Sequence, residues 1–156
     1  MKFFETSEYF SLKKSTYINL RLIGIIGQLI TINLSYFAFD LKFDLISGNL
    51  IVLIGALSNL YLIYINKNTQ LFDKTSFIFL LIDILQLSCL IYLTGGIINP
   101  FSIFLIIPAI FSSSNLGFKS NFLLVSITIL VIIFLTFFNQ PLPYPANEHF
   151  HVDDYY

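Results

Sequence analysis

Five apolar stretches approach the length of about 20 residues that a helix needs to cross a lipid bilayer. They cover residues 18–39, 46–65, 76–94, 101–116 and 122–139. Because backbone polar groups in the hydrocarbon core must be satisfied within their own segment, runs of this length are expected to be helices. Composition agrees, since only 11% of the residues are charged, against about 25% in soluble domains. The sequence predicts an all-α, polytopic membrane helical bundle with five transmembrane helices.

The basic residues indicate the orientation of this bundle. Seven of the eight lie on one side of the predicted membrane: Lys2, Lys13, Lys14, Arg21, Lys67, Lys74 and Lys119. Only Lys42 falls on the other side. Since cytoplasmic loops are enriched in Lys and Arg, we expect segment 1–17 to be cytoplasmic and the tail 140–156 to be periplasmic. The corresponding location is the inner membrane of a bacterium.

Several function classes lack support in the sequence. There is no clustered basic patch of the kind that binds nucleic acid. Cys89 is the only cysteine, so it forms no disulfide within the chain, and we interpret it as a small buried apolar side chain. The tail carries His149 and His151 among acidic residues, but a polar loop is the better interpretation, and we predict no metal site.

Small and polar residues inside the predicted spans mark the faces that turn toward other helices. Such residues recur at helical spacing in three spans: Gly24, Gln28, Thr31 and Ser35 in the first, Gly48, Gly55 and Asn59 in the second, and Asp83, Gln86 and Thr94 in the third. In the fourth span, Pro108 removes a backbone hydrogen bond and is expected to kink the helix.

Asp83 is the only acidic residue in the interior of a span. A charge at that depth costs about 2.5 kcal/mol or more, so the carboxyl needs a partner or a proton. One interpretation is a functional proton or ligand group that is hydrogen-bonded to Gln86. The other is a clamp between helices, bonded to Asn59 or Gln28. The sequence leaves both open.

The segment Gly95-Gly96-Ile97-Ile98-Asn99-Pro100-Phe101, which we call the tip, predicts a helix end followed at once by a helix start. Glycine suits the left-handed cap of a helix, and Asn-Pro suits an N-cap and a first helical position. Unpaired N–H groups of the new helix are expected to face a carbonyl ligand, with the glycines leaving room for a flat ring. A turn without a ligand is the alternative.

The stretch from Leu81 to Phe101 resembles the membrane sensor region of the RegB/PrrB redox-sensing histidine kinases, whose GGxxNPF signature it matches at all five fixed positions. Similar residues also occur around Arg21 and Gln28 and in segment 140–144. The resemblance implies a six-helix membrane domain, a homodimer, and ubiquinone as a non-covalent ligand near Gly95, Gly96, Asn99, Pro100 and Phe101. It also implies a cognate response regulator, reached through a cytoplasmic kinase region.

The chain has neither the phospho-accepting histidine context nor the ATP-binding glycine boxes of such kinases. We therefore expect a fragment that ends before a sixth helix and the kinase region and has no catalytic residues or phosphotransfer activity of its own. In the leading hypothesis, quinone at the tip shifts the packing of the third and fourth helices, with Pro108 as a pivot. Asp83, Gln86 and Gln28 couple that shift across the membrane. A small transporter subunit that uses Asp83 and Gln86 is the main alternative, and a bundle that only anchors and dimerises is another.

Overall fold

The computed structural model of the protein describes residues 12–65 and 70–141. Within these ranges the chain forms an all-α bundle, as the sequence predicts. The five helices are α1 (Lys14–Phe37), α2 (Leu45–Ile65), α3 (Asp73–Leu93), α4 (Ile106–Asn115) and α5 (Phe118–Phe137). Four of them, α1, α2, α3 and α5, are long and apolar enough to cross a membrane, whereas the apolar segment Pro100–Asn115 is shorter.

Helix α3 lies at the centre of the bundle. It packs against α2 on one side and against α4 and α5 on the other, while α1 packs mainly on α2. The core contains the fully buried side chains of Leu80, Ile84, Leu105 and Leu124. Because α1 approaches α3 through only a few side chains, a groove remains between α1 and the pair formed by α3 and α4.

The outer faces of the helices are as apolar as the core. Ile46 is 83% exposed and Phe137 is 75% exposed, which suits lipid contact and not water. Cys89 is also exposed, so the prediction that it is buried is wrong. Cys89 lies on the side of α3 that the neighbouring helices leave uncovered.

The fourth apolar segment is not one continuous α-helix. It begins as a 3₁₀ helix, Pro100–Leu105, and becomes α-helical only at Ile106. Pro108 has no N–H to donate to the carbonyl of Phe104 and its ring crowds that carbonyl, so an α-helical turn is disfavoured there. The structure thus shows a change of helix type just before Pro108, and the predicted kink stays a prediction.

The end of the bundle opposite the tip, which we call the base, is held by two sets of hydrogen bonds. A short antiparallel ladder pairs β1 (Leu12–Lys13) with β2 (Gln70–Leu71), so the start of α1 is joined to the connection between α2 and α3. Asp73, at the first position of α3, accepts hydrogen bonds from the Gly117 N–H, at 2.6 Å, and from the Ser120 hydroxyl. These bonds join α3 to the turn between α4 and α5.

Two predictions concern residues outside the described ranges. The cytoplasmic position of the N-terminal segment involves residues 1–11, and the interpretation of His149 and His151 involves the tail.

Helix α1 begins at Lys14, earlier than the predicted span, so Tyr17 belongs to the helix.

Candidate functional site

The tip folds as a helix end followed by a helix start, which confirms the local prediction. Gly95 and Gly96 have φ values of 108° and 59°, in the left-handed region that ends α3. Asn99 caps the next helix, because its Oδ1 accepts from the Phe101 N–H at 2.9 Å, and Pro100 takes the first helical position. The Asn99 Nδ2 donates to the carbonyl of Thr94 at 3.0 Å and to its Oγ1 at 2.6 Å, which ties the two helix ends together.

The prediction that the first-turn N–H groups are unpaired is wrong. The Phe101 N–H is bonded to the Asn99 side chain, and the Ser102 N–H donates to the Asn99 carbonyl at 2.9 Å. Pro100 has no N–H to offer. Asn99 itself is only 8% exposed. The Phe101 and Ser102 N–H groups are thus used within the chain.

The expected space beside the second glycine is also filled. A Cβ at Gly96 would lie 2.4 Å from the Cβ of Asn139, because the segment after α5 folds over the tip. The Gln140 N–H donates to the carbonyl of Tyr92 at 2.9 Å and fixes this segment against α3. Gly96 therefore allows close packing within the chain and not the approach of a ring.

The groove beside α1 reaches the tip and has a volume of about 910 Å³. It runs from Tyr17 near the base to Asn99, Pro100 and Phe101 at the tip. Gly95 and Gly96 do not line it. Its wall is mostly apolar, and Phe104, Ile107 and Phe111 of the fourth segment contribute to it. Three of the five residues predicted to bind a ligand are thus brought to one cavity.

The polar stripe of α1 faces this groove. Gly24, Gln28, Thr31 and Ser35 all line it, so the prediction that they share one face is confirmed. An added Cβ at Gly24 would meet nothing within 4 Å, so this glycine does not mark close contact with another helix. On α2, by contrast, Gly48 and Gly55 do face neighbouring side chains.

Gln28 and Gln86 form a pair across the groove. The Gln86 Nε2 donates to the Gln28 Oε1 at 2.8 Å, which does not support the interpretation in which Gln86 bonds Asp83. The Gln86 amide lies against Gly55 of α2, where an added Cβ would come within 2.5 Å of its Oε1. The pair thereby connects α1, α2 and α3 at one level.

Asp83 forms an ion pair with Arg21 of α1, at 2.8 Å, and accepts a hydrogen bond from the Tyr17 hydroxyl at 2.5 Å. The predicted partners Asn59, Gln28 and Gln86 do not contact it through a hydrogen bond. In the predicted span 18–39, Arg21 lies near the start. Because α1 begins at Lys14, Arg21 lies about two turns inside the helix, and Asp83 lies nearly three turns inside α3. Two opposite charges inside spans, both counted from the base, are the signal in the sequence that could have indicated the pair.

Further contacts hold the guanidinium group of Arg21. Its Nη2 donates to the Ser58 hydroxyl at 2.6 Å, and its Cζ lies 5.5 Å from the ring centres of both Tyr17 and Phe79. The Arg21 Nη1 and the Asn59 Oδ1 are buried without a hydrogen-bond partner in the described part of the chain. This cluster joins three helices near the base.

The chemistry of the groove suits the binding of an apolar molecule. Among residues 12–65 and 70–141 there is no group of three or more His, Cys, Asp or Glu side chains that would hold a metal ion. The polar atoms of the groove are amides, hydroxyls and one ion pair on a mainly apolar wall. Such a wall suits a largely apolar ligand with few polar atoms.

Comparison with known proteins identifies relatives. Residues 15–156 match the family described as the PilS-like transmembrane domain, which has six transmembrane helices. The chain is also 29% identical over 130 residues to the sensor histidine kinase RegB of Cereibacter sphaeroides. That alignment covers 81% of this chain but only 28% of the kinase. No solved structure matches the chain at a significant level.

Proposed function

Because the chain belongs to the PilS-like transmembrane domain family, we propose that it provides the sensor part of a two-component histidine kinase and that its ligand is a quinone. It is a membrane sensor domain of the RegB/PrrB type. Its relative is a kinase by name, and the chain spans about 28% of that protein's length. The kinase region, a response regulator and a homodimer therefore belong to the proposal.

The groove of about 910 Å³ is the observation that carries the quinone proposal. Its size lies in the range of small-molecule sites, roughly 300 to 1,000 Å³. A quinone has an apolar ring and tail with two carbonyl oxygens, which suits a mainly apolar wall with a few hydrogen-bonding groups. Membrane lipid is the other apolar molecule that reaches this groove, and it is the competitor in the proposed site.

The tip residues have different roles in this proposal. Phe101 lines the groove, and its ring centre lies 5.7 Å from that of Phe104, which gives the ligand an aromatic surface. Asn99 and Pro100 line the groove but act mainly by fixing the start of the helix that carries Phe101. Gly95 and Gly96 allow the turn and its contact with Asn139.

The proposed mechanism is a shift between two packings of α3 against α4. A ligand changes such an equilibrium only when it binds one packing more tightly than the other. The groove lies along both helices, and the 3₁₀ segment before Pro108 is where the chain changes its helix type. In the orientation that the basic residues predict, the tip faces the periplasm and the base faces the kinase.

The test uses the protein in lipid nanodiscs with a single tryptophan as reporter. The chain contains no tryptophan, and Ile98 of the tip is 71% exposed, so Ile98→Trp gives one defined signal. Titration with a short-chain ubiquinone is expected to quench this fluorescence in a saturable manner. Replacing Phe101 with Ala in the same background is expected to weaken binding by about tenfold.

Phe137 supplies the matched control. It belongs to α5, ends the helix near the tip and is 75% exposed away from the groove, so Phe137→Ala should leave the affinity unchanged. Quenching that never saturates, or equal affinities for Phe101→Ala and the unsubstituted reporter protein, would refute the proposed site.

A further inference from the structure

We propose that Gln28 is the residue that hydrogen-bonds the ring oxygen of the quinone, and that the orientation of the Gln28–Gln86 pair distinguishes the oxidised from the reduced ligand. This inference rests on the proposed function. It assigns the polar contact to the amide pair in the groove, away from the tip.

In the side-chain amide of Gln28, the oxygen is hydrogen-bonded and the NH₂ group is free. Its Oε1 accepts from the Gln86 Nε2 at 2.8 Å, while its own Nε2 has no acceptor among the described residues. Gln28 is half-buried and lines the groove. An NH₂ group next to an apolar wall in a membrane lacks the water that would otherwise satisfy it, so an acceptor on a ligand gains a hydrogen bond there.

The start of the helix at Pro100 offers no comparable donor. The Phe101 and Ser102 N–H groups are bonded to Asn99, and the Asn99 Nδ2 is bonded to Thr94. Phe101 lines the same groove as Gln28, and in the proposed site one bound molecule contacts both. The aromatic ring then packs against the ligand, and the amide supplies the hydrogen bond.

The direction of the Gln28–Gln86 hydrogen bond determines which ligand fits. In the observed arrangement the Gln28 NH₂ is free, and this donor suits the carbonyl oxygen of an oxidised quinone. If both amides turn over, the Gln28 Nε2 donates to the Gln86 Oε1 and the Gln28 oxygen becomes free. A free oxygen accepts from the hydroxyl of a quinol. The two arrangements have nearly the same shape because amide oxygen and nitrogen are nearly equal in size.

Gly55 connects this pair to α2. An added Cβ there would lie 2.5 Å from the Gln86 Oε1, 2.6 Å from its Cδ and 2.6 Å from its Nε2, so the amide rests on the glycine. A larger residue at position 55 must displace Gln86. Gly55→Ala therefore separates the two amides without changing either glutamine.

The test measures the affinities for a short-chain ubiquinone and for its quinol with the Ile98→Trp reporter in nanodiscs. Gln28→Leu is expected to weaken the binding of both forms by about tenfold. Gly55→Ala is expected to reduce the discrimination between the two forms. Asn33→Leu is the control, since Asn33 is a second amide of α1 that is hydrogen-bonded to Asn49 and does not line the groove. Its affinities should stay within about twofold of the reporter protein.

A second measurement observes the amide directly. The side-chain NH₂ signal of Gln28, identified by its loss in Gln28→Met, is expected to move by a different amount with quinone than with quinol. If the reporter protein binds neither form, the proposed function fails. Suppose that Phe101→Ala weakens binding, that Gln28→Leu leaves both affinities unchanged, and that the Gln28 signal does not respond to either ligand. The present inference then fails while the proposed function stands.

Discussion

Two nitrogens of Arg21 bind the same oxygen of Asp83, since Nε and Nη2 each lie 2.8 Å from Oδ1. The side chains are 4% and 19% exposed. Removing one partner leaves the other charge unpaired at depth, so Arg21→Met or Asp83→Asn alone is expected to destabilise the bundle by about 3–5 kcal/mol. Reversible unfolding in mixed detergent micelles measures this effect.

The double variant separates the value of the pair from the cost of an unpaired charge. Arg21→Met combined with Asp83→Leu removes both charges and is expected to recover most of the stability lost in either single variant. Lys119→Met is the control, because Lys119 is exposed and has no salt bridge in the described part of the chain. A double variant that is less stable than both single variants would contradict this interpretation.

The Tyr17 hydroxyl provides a smaller contribution to the same cluster. It donates to Asp83 Oδ2, while the Tyr17 ring packs against Phe111 with a centre distance of 6.2 Å. Tyr17→Phe keeps the ring and is expected to cost about 1.5–3 kcal/mol, the usual value for a hydrogen bond to a charged group. In the Asp83→Asn background the same substitution should cost less, and an equal cost in both backgrounds would show that the bond to Asp83 is unimportant.

Two glycines give opposite predictions for the same substitution. At Gly96, φ is +59° and an added Cβ would lie 2.4 Å from Asn139. Gly96→Ala should therefore lower the unfolding free energy by roughly 1–3 kcal/mol. At Gly27 an added Cβ meets nothing within 4 Å, so Gly27→Ala should be neutral or stabilise α1. Adding Asn139→Gly to Gly96→Ala removes the clash but not the backbone strain, and should restore part of the loss.

Asn99 acts through both ends of its amide. Asn99→Ala removes the acceptor of the Phe101 N–H and the donor to Thr94, and is expected to cost about 1–2 kcal/mol. Asn99→Asp keeps the acceptor for the Phe101 N–H and loses the donor to Thr94. It should therefore destabilise the protein less than Asn99→Ala does. Hydrogen exchange of the Phe101 amide distinguishes the two: it should speed up in the Ala variant and stay protected in the Asp variant.

Asp44 gives a prediction about pH. The Ser47 hydroxyl and the Ser47 N–H donate to its carboxylate, ahead of α2, and these bonds hold the pKa of Asp44 below its ordinary value. A lowered folded pKa means that the contribution to stability is complete above the ordinary Asp pKa, about 3.9. It is lost as the pH falls through the lower folded pKa. In Ser47→Ala a carboxyl NMR titration should show the pKa of Asp44 moving up toward its ordinary value.

The sequence predicts those parts of the fold that depend on local chemistry. The lengths of the apolar runs predict α1, α2, α3 and α5, and Gly95 with Asn99 and Pro100 predicts the end of one helix and the start of the next. The side-chain partners depend on how helices are arranged in space. Arg21 with Asp83, and Asn139 over Gly96, join residues far apart in the chain, so the local pattern around each residue does not specify its partner.

The fourth segment was only partly predictable for a related reason. Pro108 indicates a disturbance of the helix. Whether the 3₁₀ segment lies before or after it depends on the contacts of Leu105 and Phe104 with the rest of the bundle. The groove shows the same limit. Gln28, Thr31 and Ser35 share a face by spacing alone, yet that face lines a cavity and meets α3 through the Gln28–Gln86 hydrogen bond.

The hydrogen bonds of Asp73 at the base give α3 a fixed point. Gly117 and Ser120, which begin the return of the chain through α5, are fastened to the first residue of α3. The 21 residues of α3 then form a lever about 30 Å long. A tilt of about 3° around that point moves the far end by about 1.6 Å, since the rise of 1.5 Å per residue sets the arm length. A small rotation at the base thus corresponds to a displacement at the tip as large as a chemical bond.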